Sequence, residues 1–107
     1  MNKYRNEKTM YNDVLYDSIK EANYAKELDL RVRIKDIKGW IGDKKTLRFN
    51  LIVNGIKICT YTPDFEITHN SGLVEYLDIK GVETTSFKLK FKLIKALYPE
   101  IIFKIVK

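Results

Sequence analysis

Asp64, Asp78 and Lys80 are the residues of this 107-residue chain whose types and spacing point most directly to chemistry. They occur as Pro63-Asp64-Phe65 and as Asp78-Ile79-Lys80-Gly81, in two runs that read as β-strands. Side chains along a strand alternate faces, so Asp78 and Lys80 share a side with Val74 and Tyr76. A carboxylate and an ammonium at the end of an otherwise apolar face are costly unless they are paired or bound to a metal. Two carboxylates on adjacent strands can hold a hard cation such as Mg²⁺, and the backbone carbonyl of Ile79 could complete its shell. Such an ion lowers the pKa of bound water and neutralises charge on a phosphorane-like transition state, while Lys80 would orient or help deprotonate the attacking water. That chemistry is phosphodiester hydrolysis. Removing either aspartate is expected to abolish turnover and leave the fold intact.

These residues must be positioned by the elements around them. Asp17-Ser18 with Glu21 in the first turn predicts a capped helix from about Ser18 to Arg31. Residues 32–45 read as a connector with one short extended piece and a turn near Gly42-Asp43. Leu47 to Val53 alternates as a strand, Asn54-Gly55 is a hairpin turn, and Ile56 to Ile67 returns as a second strand. After a turn at His69-Asn70-Ser71-Gly72, Leu73 to Lys80 forms a third. Thr84, Thr85 or Ser86 caps a second helix that ends near Tyr98, ahead of Pro99. Ile101 to Val106 closes the chain as a strand. The order is helix, three-strand meander, helix, strand: an α/β domain on a mixed sheet over residues 17–107, preceded by an N-terminal arm over 1–16.

Each helix then points one charged residue at the sheet. On a helical wheel Glu21 falls within the arc of Ala22, Tyr24, Ala25 and Leu28. Lys90 falls among Phe87, Phe91, Leu93, Ile94, Leu97 and Tyr98, whereas Lys88, Lys92 and Lys95 form a basic stripe. Glu21 could bind a metal through water or hold a second ion, and Lys90 could contact the scissile phosphate. Two plainer readings stand beside these: Glu21 caps the helix at the domain edge, and Lys90 snorkels to water.

The net charge of +6 favours a polyanionic partner. The segment from Lys80 to Lys107 supplies most of it, with seven lysines against Glu83 and Glu100, although solubility alone would also account for a basic third. No apolar run reaches the roughly 20 residues of a membrane span, and residues 1–10 lack the apolar segment of a signal peptide. The single Cys59 suits a reducing cytoplasm and reads as a small core residue. His69 has no Cys or His partner for zinc. No Gly-rich phosphate loop is present, so no nucleotide cofactor is expected. Glu75 lies on the strand face opposite Asp78 and reads as structural or surface. Trp40 and the tyrosines, Tyr11 and Tyr16 above all, are candidates for stacking on bases.

The stretches YDSIKEANYAKEL, YTPDFEI, LVEYLDIKG and SFKLKFKLIKALYPEI, covering most of residues 16–101, carry a resemblance to the PD-(D/E)XK nuclease superfamily. Its motif reads here as Pro63-Asp64 with Asp78-Ile79-Lys80, and the chain is similar to small phage- and prophage-encoded proteins of that superfamily catalogued as a domain of unknown function. The resemblance implies an αβββαβ core, Mg²⁺-dependent DNA cleavage with Mn²⁺ as a substitute, and a phage origin, hence the cytoplasm of a bacterial host. It implies that Glu21 is the glutamate commonly supplied by the first helix, and that Lys90 or Lys88 is the polar group from the second. Asp78 departs from the commoner glutamate. The expectation is an endonuclease selective for branched or single-stranded DNA, because a core this small has little surface for reading sequence. It would act as a homodimer where both strands are cut. The alternatives are a catalytically silent nuclease fold that binds DNA, and a nuclease directed at RNA.

Overall fold

A computed structural model describes residues 7–107 of the chain. The first described element is a hairpin, β1 (Thr9–Tyr11) and β2 (Val14–Tyr16), within the segment expected to be an arm. It turns through Asn12 and Asp13, both at positive φ, the conformation those side chains tolerate best after glycine. The hairpin packs on α1 (Ile19–Arg33) and buries Tyr16 in the core. The Ser18 hydroxyl accepts the Glu21 N–H at 3.1 Å, which caps the helix. Arg31 and Arg33 stand at its negative C-terminal end.

Seven elements follow: β3 (Gly39–Ile41), β4 (Phe49–Val53), β5 (Ile56–Tyr61), β6 (Phe65–Thr68), β7 (Val74–Ile79), α2 (Thr85–Leu97) and β8 (Ile102–Val106). The main sheet has the order β3-β6-β7-β8. Its first two pairings are antiparallel and β7-β8 is parallel, the crossover being made by α2 as a parallel pair requires. The β4-β5 hairpin is a separate two-stranded ladder turned through Asn54 and Gly55, again both at positive φ. The mixed sheet and the two helices agree with the α/β class read from the sequence.

The meander is arranged differently from the expectation. The run from Ile56 to Ile67 is two strands, broken at Thr62-Pro63-Asp64, because Pro63 has no N–H to give a ladder and fixes its own φ. The strand from Phe49 to Val53 therefore pairs only with β5, and the short extended piece of the connector, β3, takes the edge of the main sheet beside β6. Five strands, not three, lie between the helices.

Two apolar clusters flank the sheet. Ala22, Ala25 and Leu28 of α1 pack on Phe65, Ile67, Leu77 and Ile79. On the other face Ile94 of α2 and Leu51 and Tyr61 of the β4-β5 hairpin pack on Phe103, with Phe49, Tyr76 and Phe91 around them. Leu77 and Ile79 thus face α1, and Tyr76 faces α2. Period two puts Asp78 and Lys80 on the α2 side, at the end of that aromatic cluster. No helix among the described residues is long and apolar enough to cross a membrane.

Candidate active site

Asp64 stands where the chain enters β6 after the proline break. Its backbone N–H donates to the carbonyl of Leu77 at 2.9 Å, and its Oδ2 accepts the N–H of Ile79 at 2.8 Å. The carboxylate is thereby fixed against the residue between Asp78 and Lys80. Its other oxygen, Oδ1, accepts from the Nζ of Lys44 at 2.8 Å.

Lys44 gathers a second group of acids. Its Nζ lies 3.5 Å from Oε1 of Glu21 and 3.5 Å from Oδ2 of Asp17. The lysine is held by a local turn in which Asp43 caps the residues after it. Asp43 Oδ1 accepts the Lys45 N–H at 3.1 Å, its Oδ2 accepts the Thr46 hydroxyl at 2.9 Å, and Leu47 is buried behind. Glu21 and Asp64 are 7% and 6% exposed, so their charges are felt strongly. Burial, then the charge of Asp64, pushes the Glu21 carboxyl up to about 7, with Lys44 opposing. Burial pushes the Lys44 ammonium down, but Asp64, Glu21 and Asp17 more than reverse this and leave its pKa above the ordinary lysine value.

Asp78 is 2% exposed and accepts a hydrogen bond from the Tyr61 hydroxyl. Burial raises its pKa to about 6, against the pull of Lys80 and Lys44. It opens onto a cleft of about 260 Å³ lined also by Thr62, Lys80, Thr84, Ser86 and Lys90. Thr84 is the N-cap of α2, its hydroxyl accepting the Phe87 N–H at 3.1 Å. The Lys80 Nζ lies 4.6 Å over the Phe87 ring, a cation–π contact that holds the ammonium at the cleft wall.

The expected residues thus fall into two adjoining groups. Asp78, Lys80 and half-buried Lys90 share the cleft on the α2 side. Glu21 and Asp64 share Lys44, and Asp64 bridges the groups through Ile79. Lys88, Lys92 and Lys95 are exposed along α2, with the Lys95 Nζ 5.3 Å over Phe91. Glu75 lies apart from all of them, between Nε2 of His69 at 3.2 Å and Nζ of Lys104 at 3.1 Å, and these partners hold its pKa below the usual value despite burial. Trp40 and Tyr11 are both tied to Asp29 through their polar atoms, and Trp40 packs edge-on to Phe65. Among the described residues no three Asp, Glu, His or Cys side chains gather as a ready metal cluster.

Lys44 and Tyr61 were not singled out by sequence reasoning. Asp43-x-x-Thr46 is a legible local cap, but nothing in the sequence tells that the lysine inside it turns toward Glu21 and Asp64. Tyr61 is one aromatic in a strand, and its hydroxyl acquires meaning only because the β4-β5 hairpin lies over Asp78.

No curated protein and no solved structure matches the chain. A family model described as "Protein of unknown function (DUF1064)" matches residues 1–107. The chain belongs to the DUF1064 family.

Proposed function

We propose that this protein is a divalent-metal-dependent endonuclease of the PD-(D/E)XK type that hydrolyses DNA phosphodiester bonds. The observation that carries the reading is the hydrogen bond from Ile79 N–H to Asp64, which sets the Pro63-Asp64 carboxylate against the Asp78-Ile79-Lys80 stretch at one end of a mixed sheet. The element order lends support. Apart from the β1-β2 hairpin at its start and the β4-β5 excursion, it runs helix, three antiparallel strands, helix, parallel strand. This is the order the resemblance implies.

The donor set suits a hard cation such as Mg²⁺ or Mn²⁺. Asp64, Asp78 and Glu21 offer only oxygen, the donor that such ions prefer, and burial leaves the charges of Glu21 and Asp78 poorly solvated. Asp64, which bridges the two groups, would hold the ion with the carbonyl of Ile79. Asp78 on the cleft side or Glu21 on the α1 side would complete the set only after a side-chain shift, since the three acids do not gather as they stand. When bound it supplies charge neutralisation and a more acidic water. The chain's own residues do the rest. Lys80, at the cleft wall, donates hydrogen bonds that orient the attacking water and counter negative charge developing on the phosphate. Lys90 and the hydroxyls of Thr84 and Ser86 grip the non-bridging oxygens. Tyr61 fixes the orientation of Asp78. The exposed Lys88, Lys92 and Lys95 extend this charge along the path of a DNA backbone.

The small surface around the cleft favours branched or single-stranded DNA over a read sequence. Cutting both strands calls for two copies, and the β4-β5 hairpin, whose Ile52, Ile56 and Ile58 are 50%, 64% and 56% exposed, offers apolar side chains for pairing. On this reading the protein acts in a bacterial host's cytoplasm. The test is incubation of purified protein with branched, single-stranded and linear duplex DNA in Mg²⁺ or Mn²⁺. Cleavage by the wild type and none by Asp78→Ala supports the proposal, and identical behaviour of the two ends it.

One observation favours a second reading, a catalytically silent DNA-binding module: an ammonium, that of Lys44, already lies between Glu21 and Asp64. That reading expects salt-sensitive DNA binding unaffected by metal or by Asp64→Asn.

A further inference from the structure

Lys44 faces Asp17, Glu21 and Asp64 at once, and the four side chains are unequally free to move. The Glu21 and Asp64 side chains are 10% and 7% exposed, whereas that of Lys44 is 44% exposed. Asp64 is further fixed by the Ile79 amide, and Glu21 sits in the first turn of α1. Two buried carboxylates at this spacing need a counter-charge, since a buried charge left alone is strongly destabilising. Lys44 meets that need, yet unlike the two buried carboxylates it has somewhere to go. Its stem rises from a turn whose backbone is pinned by Asp43 and Leu47, so the side chain can rotate without moving the turn. On its other side lies a largely apolar hollow of about 600 Å³ that Lys44 shares with Val14, Tyr16, Trp40 and Lys45. The stem has apolar surface to lie on there, with its head in water.

We propose that Lys44 is the resident cation of the metal-free site: it neutralises the Glu21–Asp64 pair until a divalent ion displaces it, and the released ammonium then joins Lys45 on the outer surface. This rests on the metal reading above and adds how metal loading is controlled. The lysine and the ion need the same atoms, Oδ1 of Asp64 and Oε1 of Glu21, so they exclude each other there. A doubly charged ion that takes several oxygens prevails once its concentration suffices. Release adds a mobile positive charge beside the site only when the ion is present, so metal and a polyanion strengthen each other's binding, as linkage requires.

The test uses the full chain without DNA, as wild type, Lys44→Met, Lys44→Gln and Lys44→Arg, with Mn²⁺ binding followed by calorimetry and thermal melting with and without Mn²⁺. Lys44→Met removes the charge and keeps the stem. Lys44→Gln, which can still donate to Asp64, serves where the methionine variant does not fold. Both are expected to melt below wild type without metal, to bind Mn²⁺ at least about tenfold more tightly, the equivalent of 1.4 kcal/mol, and to regain their melting temperature on adding it. Lys44→Arg should keep the wild-type affinity. Adding Asp64→Asn to either neutral variant should abolish the gain. Equal Mn²⁺ affinity in wild type and neutral variants overturns the role of Lys44 and leaves the metal reading standing. A gain that survives Asp64→Asn overturns it too, because the ion then sits elsewhere. Absence of Mn²⁺ binding in every variant overturns both.

Discussion

The Oδ2 of Asp64 accepts the backbone N–H of Ile79 at 2.8 Å, so a side chain at the start of one strand closes the ladder of the next. The proline before it makes this necessary. Pro63 interrupts the strand and leaves β7 without a main-chain partner there, and the aspartate side chain supplies the acceptor that the backbone does not. Asp64 is therefore structural as well as a candidate ligand, contrary to the expectation that both aspartates are dispensable for folding.

Replacing Asp64 with alanine is expected to destabilise the fold by about 1–3 kcal/mol, the cost of an unsatisfied buried amide, with a further loss from the shortest of the three Lys44 ion pairs. Asp64→Asn keeps an oxygen for Ile79 and should lose less than half as much. Urea unfolding at neutral pH distinguishes them. Equal losses would mean that the Ile79 hydrogen bond carries no weight.

Asp78 should behave in the opposite way. Burial raises its pKa to about 6, so at pH 8 the folded protein holds a carboxylate that its surroundings disfavour. Asp78→Asn retains an acceptor for Tyr61 and removes the charge. Its melting temperature at pH 8 is expected to equal or exceed wild type, while cleavage falls by about 10²–10³-fold or more. A side chain that costs stability where it stands is the mark of a residue kept for function. A clear loss of stability in Asp78→Asn would reassign Asp78 to a structural role.

The pH dependence follows from the same shifts. Glu21 has a folded pKa of about 7 against an ordinary 4.5, and Asp78 about 6 against 3.8. Each folded carboxyl holds its proton to higher pH than the unfolded one. The stability they contribute is complete below the ordinary values and is lost as pH rises through about 6 to 7. Glu75, whose pKa is lowered, contributes in the other sense, and only as pH falls toward and below its ordinary 4.5. Between pH 5 and 8 the melting temperature should therefore decline, by the equivalent of roughly 1–3 kcal/mol. Glu21→Gln should flatten the decline. A melting temperature that climbs across this range would contradict the electrostatics of the cluster.

The parts of this architecture that were legible in the sequence are those encoded locally. Ser18 with Glu21, and Thr84 ahead of Phe87, are capping patterns, and both helices begin where those patterns stand. Asn54-Gly55 announces its turn, and the wheel that put Glu21 among Ala22, Ala25 and Leu28 matches their burial. Sheet membership was not legible, because pairing is decided between segments far apart in sequence. Gly39–Ile41 is three residues with no period of its own, and it becomes an edge strand only because β6 has an open side. Pro63 belongs to the motif and is at the same time a strand breaker, and only the second role splits the run from Ile56 to Ile67. The candidate site divides in the same way. Asp64, Asp78 and Lys80 are marked by an acid or base at the end of an apolar run, a local anomaly. Lys44 is one of many lysines and is distinguished only by the three acids that the fold brings around it.

The basic surface of α2 supplies the last prediction, because its lysines differ in position. Lys88, Lys92 and Lys95 are exposed on the helix, whereas Lys90 lines the cleft with Asp78. Exposed lysines that meet phosphates displace counterions, each contact contributing about 0.9 to the slope of log affinity against log salt. The triple variant Lys88→Ala, Lys92→Ala, Lys95→Ala is expected to lower that slope by about 2–3 and to weaken binding of all DNA forms alike. Lys90→Ala should lower it by at most about 1 while depressing single-turnover cleavage more than binding, because the proposed mechanism sets its ammonium on the phosphate under attack rather than on the flanking backbone. Binding titrations from 50 to 300 mM salt, about the range over which such slopes are read, together with single-turnover rates, separate the two. If Lys90→Ala and the triple variant change slope and rate in the same proportion, the cleft is only a continuation of the basic surface. The hydroxyls of Thr84 and Ser86 would then have no reacting phosphate to hold.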